Sequence, residues 1–496
     1  MMYLGVAIFV GFLTLLLLLW TWNFTYWSRK GIKGPKPSVI FGNFPTYLQR
    51  NLVYDLDEQY KKYRGIPFVG IYALRSPMLL VTDPEFSRQI LIGKFRQFYN
   101  NESSQMLSLK SDPIIGLNPF FLRDEKWKNV RQEITPGFSN NRVKAQFPII
   151  QTTCHKMINY LRQYVKTHGT TVKVAELSRR YTNENLMNCI FGLEGDAFIE
   201  EAGLSLKMLK DYLDAFWKID YFLVFSFVWP TFNKIYKFNV LNRKLKIFFE
   251  DMLRHGMEFR TKQSGNRDDF LAFLMHIQEK KGATIDEMVA HALTFILDGF
   301  ETSALVMDSV FYELTRHPEV QEKLREEILA QSTLLTYENV CDLPYLDQVI
   351  NETTRLYPPI LFLIKQCNES LSVEFDDGQG TKTIPKGAKT LIPVYSIQRD
   401  PMIYENPEKF YPERFNDGAV KDYKDKGVLI PFGDGPRICL GMKFAVAQIK
   451  MAIVEIVKNF RLTLGADMKE PLTLKKAFFG LPMQDILVNF HPISQK

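Results

Sequence analysis

Histidine and cysteine, the residues from which many protein metal centres are built, are both scarce in this chain. Seven histidines are scattered over 496 residues with no HExxH and no pair at ligand spacing, which argues against a histidine-built centre. The five cysteines, Cys154, Cys189, Cys341, Cys367 and Cys439, are widely spaced, odd in number and without repeated zinc-type spacing. Free thiols in a reducing compartment are therefore expected, and not a disulfide scaffold. The formal charge of +7 has no long basic block behind it, so no nucleic-acid partner is expected. Internal repeats and low-complexity linkers are absent as well. What is plentiful is aromatic: 39 phenylalanines and 22 tyrosines in an otherwise ordinary globular composition.

One further absence is local, because no charged side chain occurs from Met1 to Ser28. Leu4 to Trp20 is nearly all apolar and long enough to cross the hydrocarbon as a helix. Neither a basic stretch before it nor a small-x-small cleavage site is present, which disfavours a cleaved signal peptide. Trp20, Trp22, Tyr26 and Trp27 read as an interfacial belt. Arg29, Lys30, Lys33 and Lys36 follow, and the positive-inside rule puts that side in the cytosol with the first residues across the membrane. The expected organisation is an anchor at 1–28, a basic, proline-containing hinge at 29–45 around Gly34-Pro-Lys-Pro37, and one large domain at 46–496.

Within that domain, residues 63 to 82 alternate as a β-hairpin with Ser76-Pro77 between its two runs, and Asp83-Pro84 opens a short helix. From Trp127 to about residue 360 the pattern is mostly helical, with breaks near Pro136, Gly169, Gly192, Pro230 and Gly265. After Pro358 short strands take over, as on either side of Asp376-Asp-Gly-Gln-Gly380. The fold class is mainly α with small β-sheets. Thr284-Ile-Asp-Glu287 is a capping box opening a helix that runs to Pro318, about 33 residues or roughly 50 Å. In its middle, Asp298-Gly-Phe-Glu-Thr-Ser303 puts a glycine, two acids and two hydroxyls in a buried stretch. Either this is a groove where a ligand nears the backbone while Glu301 and Thr302 handle protons, or it is a kinked core helix whose hydroxyls bond back to its own carbonyls. The aromatic stretch 216–232 reads either as a dip into the membrane interface or as a core helix. Lys218 and Asp220 speak against a second span.

Four smaller patterns complete the reading. Trp127 and Arg131, four apart on one helix face, either hold a carboxylate together or form a surface arginine beside a half-buried ring. Glu352 and Arg355 pair on a helix, buried or exposed, and Pro412-Glu-Arg-Phe415 offers Arg414 to join them. Phe432-Gly-Asp-Gly-Pro-Arg-Ile-Cys-Leu-Gly441 then delivers Cys439 to the start of an apolar helix, where unpaired amides and Arg437 favour a thiolate. Glycines there let the chain come close to something large and flat. Cys439 is thus an axial metal ligand or a buried structural cysteine.

In order and spacing these motifs resemble the cytochrome P450 family of haem-thiolate monooxygenases, over essentially the whole chain. The resembling pieces are Phe432-x-x-Gly435-x-Arg437-x-Cys439-x-Gly441, Glu352-x-x-Arg355, Pro412-Glu-Arg-Phe415, Trp127-x-x-x-Arg131, Gly299-x-Glu301-Thr302 and the hinge after the anchor. In style the chain is similar to microsomal members, particularly insect ones that metabolise xenobiotics and hormones.

The resemblance implies a single P450-like catalytic domain in the endoplasmic reticulum membrane, facing the cytosol. It implies haem b with Cys439 as the iron ligand, O2, and electrons from NADPH through a separate reductase, with cytochrome b5 as a candidate further partner. Trp127, Arg131 and Arg437 would hold the propionates, with Lys365 a further candidate, and Phe432 would pack by the thiolate. Glu301 and Thr302 would deliver protons. Glu352, Arg355 and Arg414 would lock the cysteine side.

Lipophilic substrates, xenobiotic, steroid or fatty-acid-like, would meet Phe120 and Phe121 in the stretch 117–121, the region 216–232, Ile296, Phe300, Leu361, Phe478 and Phe479. Lys126, Lys128, Lys443 and Arg437 would receive an acidic reductase. Two positions depart from the family pattern. Asp298 replaces a usual small residue and either points into the distal pocket, where it meets water or substrate, or turns away to pair with a base. Gln398 stands where a histidine near a propionate is common. A haem-thiolate isomerase or dehydratase acting on a peroxide is the enzymatic alternative, which an intact Glu301-Thr302 speaks against. A non-catalytic haem or lipophile carrier is the alternative of another class.

Overall fold

The computed structural model describes residues 2–102, 112–199, 203–217, 241–262, 267–331, 335–375, 380–476 and 483–493. Helices dominate, and six of them carry the argument, α1 as the apolar N-terminal helix and the other five as the frame of the site. They are α1 (Met2–Thr21), α2 (Asp124–Ile134), α3 (Val174–Phe191), α4 (Ile285–Arg316), α5 (Pro344–Leu356) and α6 (Met442–Asn459). The strands are β1 (Phe68–Ala73), β2 (Ser76–Val81), β3 (Asn100–Asn101), β4 (Thr171–Lys173), β5 (Leu363–Gln366), β6 (Leu371–Phe375), β7 (Gly380–Ile384), β8 (Lys389–Ile392), β9 (Phe460–Leu464) and β10 (Leu487–Pro492). They form small sheets, in the order β1-β2-β8-β5-β3, β4-β10-β9 and β6-β7.

The helix α4 organises the body. Its first turn carries the expected capping box, in which the Thr284 hydroxyl accepts from the Glu287 amide and the Glu287 carboxylate accepts from the Thr284 amide. It is apolar and long enough to cross a membrane, yet most of that apolar window is buried inside the protein, so it is the core helix of the domain. It packs along α3 and also meets α5 and α6. Phe295 on α4 stacks on Phe138 with ring centroids 4.7 Å apart and meets Phe444 of α6 edge-on at 4.9 Å. Helix α1 is different, exposed over most of its described length, apolar and long enough to span, as a membrane anchor would be, and it meets the body at its end, where the Trp20 indole N–H donates to the Val39 carbonyl at 2.6 Å.

Two local expectations are corrected. The hairpin turns at Leu74-Arg75, with Leu74 at φ 55°, and Ser76-Pro77 belongs to β2, where Pro77 pairs with Tyr72. A proline fits there because β8 pairs with β2 only farther on, at Leu79 and Leu80. Trp27 is not part of an interfacial belt. It is 2% exposed, its backbone amide donates to the Tyr72 hydroxyl at 3.1 Å, and its indole N–H donates to the Ile71 carbonyl at 3.3 Å. Gly70 makes room for it, since a Cβ there would lie 2.4 Å from the ring. The region 216–232 lies, from residue 218 on, outside the described residues, as do Phe478 and Phe479.

Candidate active site

The loop before α6 is shaped by glycine. Gly435 has φ +67°, and a Cβ on it would lie 2.1 Å from the Leu91 carbonyl oxygen, so no other residue fits without moving the chain. The turn closes as the Cys439 amide donates to the Phe432 carbonyl at 2.9 Å and the Ile438 amide to Gly435 at 3.0 Å. The amides of Gly441 and Met442, at the threshold of α6, hydrogen-bond to the thiol. Cys439 keeps exposed surface, but it does not behave as a solvent-facing thiol: burial pushes its pKa up to about 11, and the charge of Asp298 adds to the rise. The surface it shows therefore faces the interior of the domain. The helix-start amides favour the thiolate as expected, but the cation acting on it is Arg131 in place of the expected Arg437, and desolvation outweighs both.

Cations gather at one side of this interior. Arg131 on α2 donates to the Ile438 carbonyl at 2.7 Å, tying α2 to the cysteine loop. The Arg437 guanidinium lies 4.1 Å over the Trp127 ring and donates to the Pro119 and Leu122 carbonyls, both at 3.0 Å. Its Nε is buried without a partner. Lys365 on β5 is buried and donates to Asn101 Oδ1 at 2.8 Å. Burial, then the charge of Arg437, lowers its pKa to about 7, while burial, then Arg131, lowers Arg437 to about 9. No carboxylate forms an ion pair with any of these three cations among the described residues. Arg437 thus belongs to this interior cluster and is not a surface charge.

Opposite lies the middle of α4. Asp298 and Thr302, four apart, share a helical face and both keep free surface. The Thr302 hydroxyl donates to the Asp298 carbonyl at 2.5 Å, so the back-bonded reading holds for this side chain. Asp298 pairs with no base among the described residues. Burial raises its pKa to about 7, the Asn118 side chain pulls the other way, and its charge reaches Cys439. Glu301 points elsewhere, held by Arg179 of α3 through two donors, Nε at 2.8 Å and Nη2. Ile296 and Phe300 are each 0% exposed and belong to the core. Two residues is about 200° of helix, so both lie on the face opposite Asp298 and Thr302, and neither lines the space.

The family model described as Cytochrome P450 matches residues 32–490. The chain belongs to the cytochrome P450 family. It is similar to "Probable cytochrome P450 28d1" of Drosophila melanogaster, 36% identical over 483 residues, covering 95% of this chain and 96% of that one. It is also similar to "Probable cytochrome P450 28d2" of the same organism, 38% identical over 467 residues with 92% and 93% covered, and to "Cytochrome P450 6a2", 29% identical over 495 residues with 95% and 96% covered. Membership makes the protein a monooxygenase, which displaces the carrier and isomerase readings. The fold is one mainly helical P450 domain with small sheets.

P450s use O2 and a haem held by a cysteine thiolate, and the residues present fit that group. One thiol faces the interior under two amides, and beside it stand three crowded cations with a buried, unpartnered guanidinium nitrogen. Such a set calls for an anionic edge, which two propionates would supply.

Glu352 and Arg355, both fully buried on α5, form an ion pair. Arg355 donates to Glu352 through Nε at 2.7 Å and Nη2 at 2.8 Å, and Arg414 adds Nε at 3.4 Å. Gln398 corrects the expectation of an edge contact. Its Nε2 donates to the Thr354 and Arg355 carbonyls at 3.0 Å and its Oε1 accepts from the Ile430 amide at 2.9 Å, so it staples α5 to the entry of the cysteine loop.

Of the proposed substrate contacts, Phe120 is 38% exposed, whereas Phe121 and Leu361 are packed at 7% and 2%. Three polar partners had no pattern to reveal them: Arg179 for Glu301, Asn101 for Lys365 and Asn118 beside Asp298. Each is reached only through tertiary structure.

Proposed function

We propose that this P450 inserts one oxygen atom of O2 into lipophilic small molecules of xenobiotic, steroid or fatty-acid-like character. Electrons come from NADPH through a separate membrane reductase, with cytochrome b5 as a candidate second donor. The protein acts at the cytosolic face of the endoplasmic reticulum, with residues 1–28 as anchor, 29–45 as hinge and 46–496 as catalytic domain. The observation that carries the reading is the interior-facing Cys439 thiol, with Thr302 opposite and the Trp127, Arg131, Arg437 and Lys365 cluster at its side.

In this reading Cys439 binds iron as the thiolate, a form that coordination favours over the thiol. The haem so held supplies activation of O2, since a thiolate ligand donates electron density that favours O–O cleavage. The Gly441 and Met442 amides orient and temper the sulfur charge, and Phe432 shields it. Arg131, Arg437, Trp127 and Lys365 hold the propionates, and the Glu352, Arg355 and Arg414 network with Gln398 fixes the loop. Thr302 has given its hydroxyl proton to a backbone carbonyl, so its oxygen lone pairs remain to accept from water or substrate. A proton route through Glu301 requires its carboxylate to leave Arg179. Lys126, Lys128 and Lys443 are exposed and suit an acidic reductase.

The test is the carbon monoxide difference spectrum of the reduced full-length protein, followed by NADPH-dependent turnover with a microsomal reductase. A thiolate-type Soret band that Cys439→Ala abolishes, together with oxygen-dependent product, is the expected result. A histidine-type band, or no bound haem in folded protein, overturns it.

A further inference from the structure

Asp298 is an acid without a counter-charge in an enclosed place. Several deeply buried carboxylates carry a matching cation, Glu352 with Arg355 and Arg414, Asp269 with Arg260 and Arg267, Asp400 with Arg64, whereas Asp308 on the same helix forms no ion pair among the described residues but is closed off in the core. Asp298 has exposed surface, no ion pair among the described residues, and a field that reaches Cys439 across the interior. Among the described residues, the Asn118 side chain is turned to it. The Asn118 Oδ1 is fixed by the Phe120 amide at 2.7 Å, which leaves Nδ2 for the carboxyl. That contact falls short of a full hydrogen bond, since Nδ2 is otherwise buried without a partner. The polar group is thus aimed into the space and only half satisfied. Phe120, two residues on from Asn118, is apolar and keeps exposed surface, and Thr302, one turn along α4, offers an acceptor and no charge.

A carboxyl in such a place is costly as an isolated anion, and a ligand that brings its own cation removes that cost while gaining a charge-assisted hydrogen bond. Resting on the monooxygenase reading above, we propose that Asp298 is a specificity-determining residue that receives a basic nitrogen, an alkylammonium, on an otherwise lipophilic substrate, with Asn118 holding the carboxyl in place. Phe120 meets the carbon frame while the carboxylate fixes the charged end against α4.

The test compares a dimethylalkylamine with the branched alkane in which CH replaces the nitrogen. Binding to the full-length holoenzyme is measured by equilibrium dialysis at pH 7.4, where the amine is charged. The protein first has to give a thiolate-type carbon monoxide spectrum, so a failure of the general reading is seen before this one is tested. The expected result is an amine preference of roughly tenfold to hundredfold in the wild type, the span of a hydrogen bond to a charged group. The ratio falls to about one in Asp298→Asn and recovers in part in Asp298→Glu. A wild type with no preference overturns the proposal without any variant. A preference that persists in Asp298→Asn also overturns it, because the nitrogen is then held elsewhere.

Discussion

A single buried carboxylate can leave its mark on stability, and here two acids do so in separate pH windows. Asp308 on α4 is buried beside Ser178 and Arg179, and burial raises its pKa to about 7. The folded state then binds more protons than the unfolded state between about pH 4 and 7, so its contribution is fully present in acid and is lost as pH rises through that range. Glu133 on α2 is the reverse case. Its contact with His291 of α4, 3.6 Å away, together with the Lys281 ammonium, which donates to it at 2.9 Å, lowers its pKa to about 2, so its contribution holds at neutral pH and is lost only as pH falls below about 4.5. Thermal melting from pH 2 to 8 separates them. Asp308→Asn is expected to melt with the wild type at pH 4 and above it at pH 8, by a few degrees. A constant offset across the range would mean that Asp308 does not change protonation on folding.

At the scale of elements, the joint between α5 and the cysteine loop is made by Gln398. Gln398→Ala strands the Ile430 amide and the Thr354 and Arg355 carbonyls, all in buried surroundings, at a cost of about 1–3 kcal/mol for each group that water does not reach. A lower melting temperature together with a smaller thiolate-type fraction in the carbon monoxide spectrum is expected. Unchanged melting would show that the loop keeps its shape without the staple.

The same residue shows what a sequence can and cannot convey. Local features were legible: the Thr284 capping box, the Glu352–Arg355 pair at three-residue spacing, and the helix beginning after Cys439. The helical phase of α4 was also legible in principle, because 200° separates Ile296 and Phe300 from Asp298 and Thr302, yet apolarity alone suggested the wrong face. Gln398, Arg179 and Asn118 could not be assigned, since their partners are 32 to 44, 122 and about 180 residues away, set by packing and by no spacing rule.

For the whole molecule the question is where the anchor stops and the folded body begins. Helix α1 ends at Thr21. The chain after it is already part of the domain: Trp27 is enclosed by Gly70, Ile71 and Tyr72 of β1, and Lys33 accepts the Gly70 amide at 2.9 Å. Gly34 sits so close that a Cβ would lie 1.9 Å from the Gly70 carbonyl oxygen. The basic hinge is therefore sewn to the sheet, so the proposed anchor α1 is joined to the body by a short, fixed link. Two truncations follow from this. Removal of residues 2–21 should free the protein from membranes in a flotation assay and leave its melting temperature in detergent unchanged. Removal of residues 2–28 deletes the buried Trp27 as well, and the core then loses about 3–5 kcal/mol, the usual cost of emptying a tryptophan site. If both truncations melt alike, Trp27 is an ornament of the anchor and not a part of the fold; if the shorter one already unfolds the body, α1 itself is needed for folding.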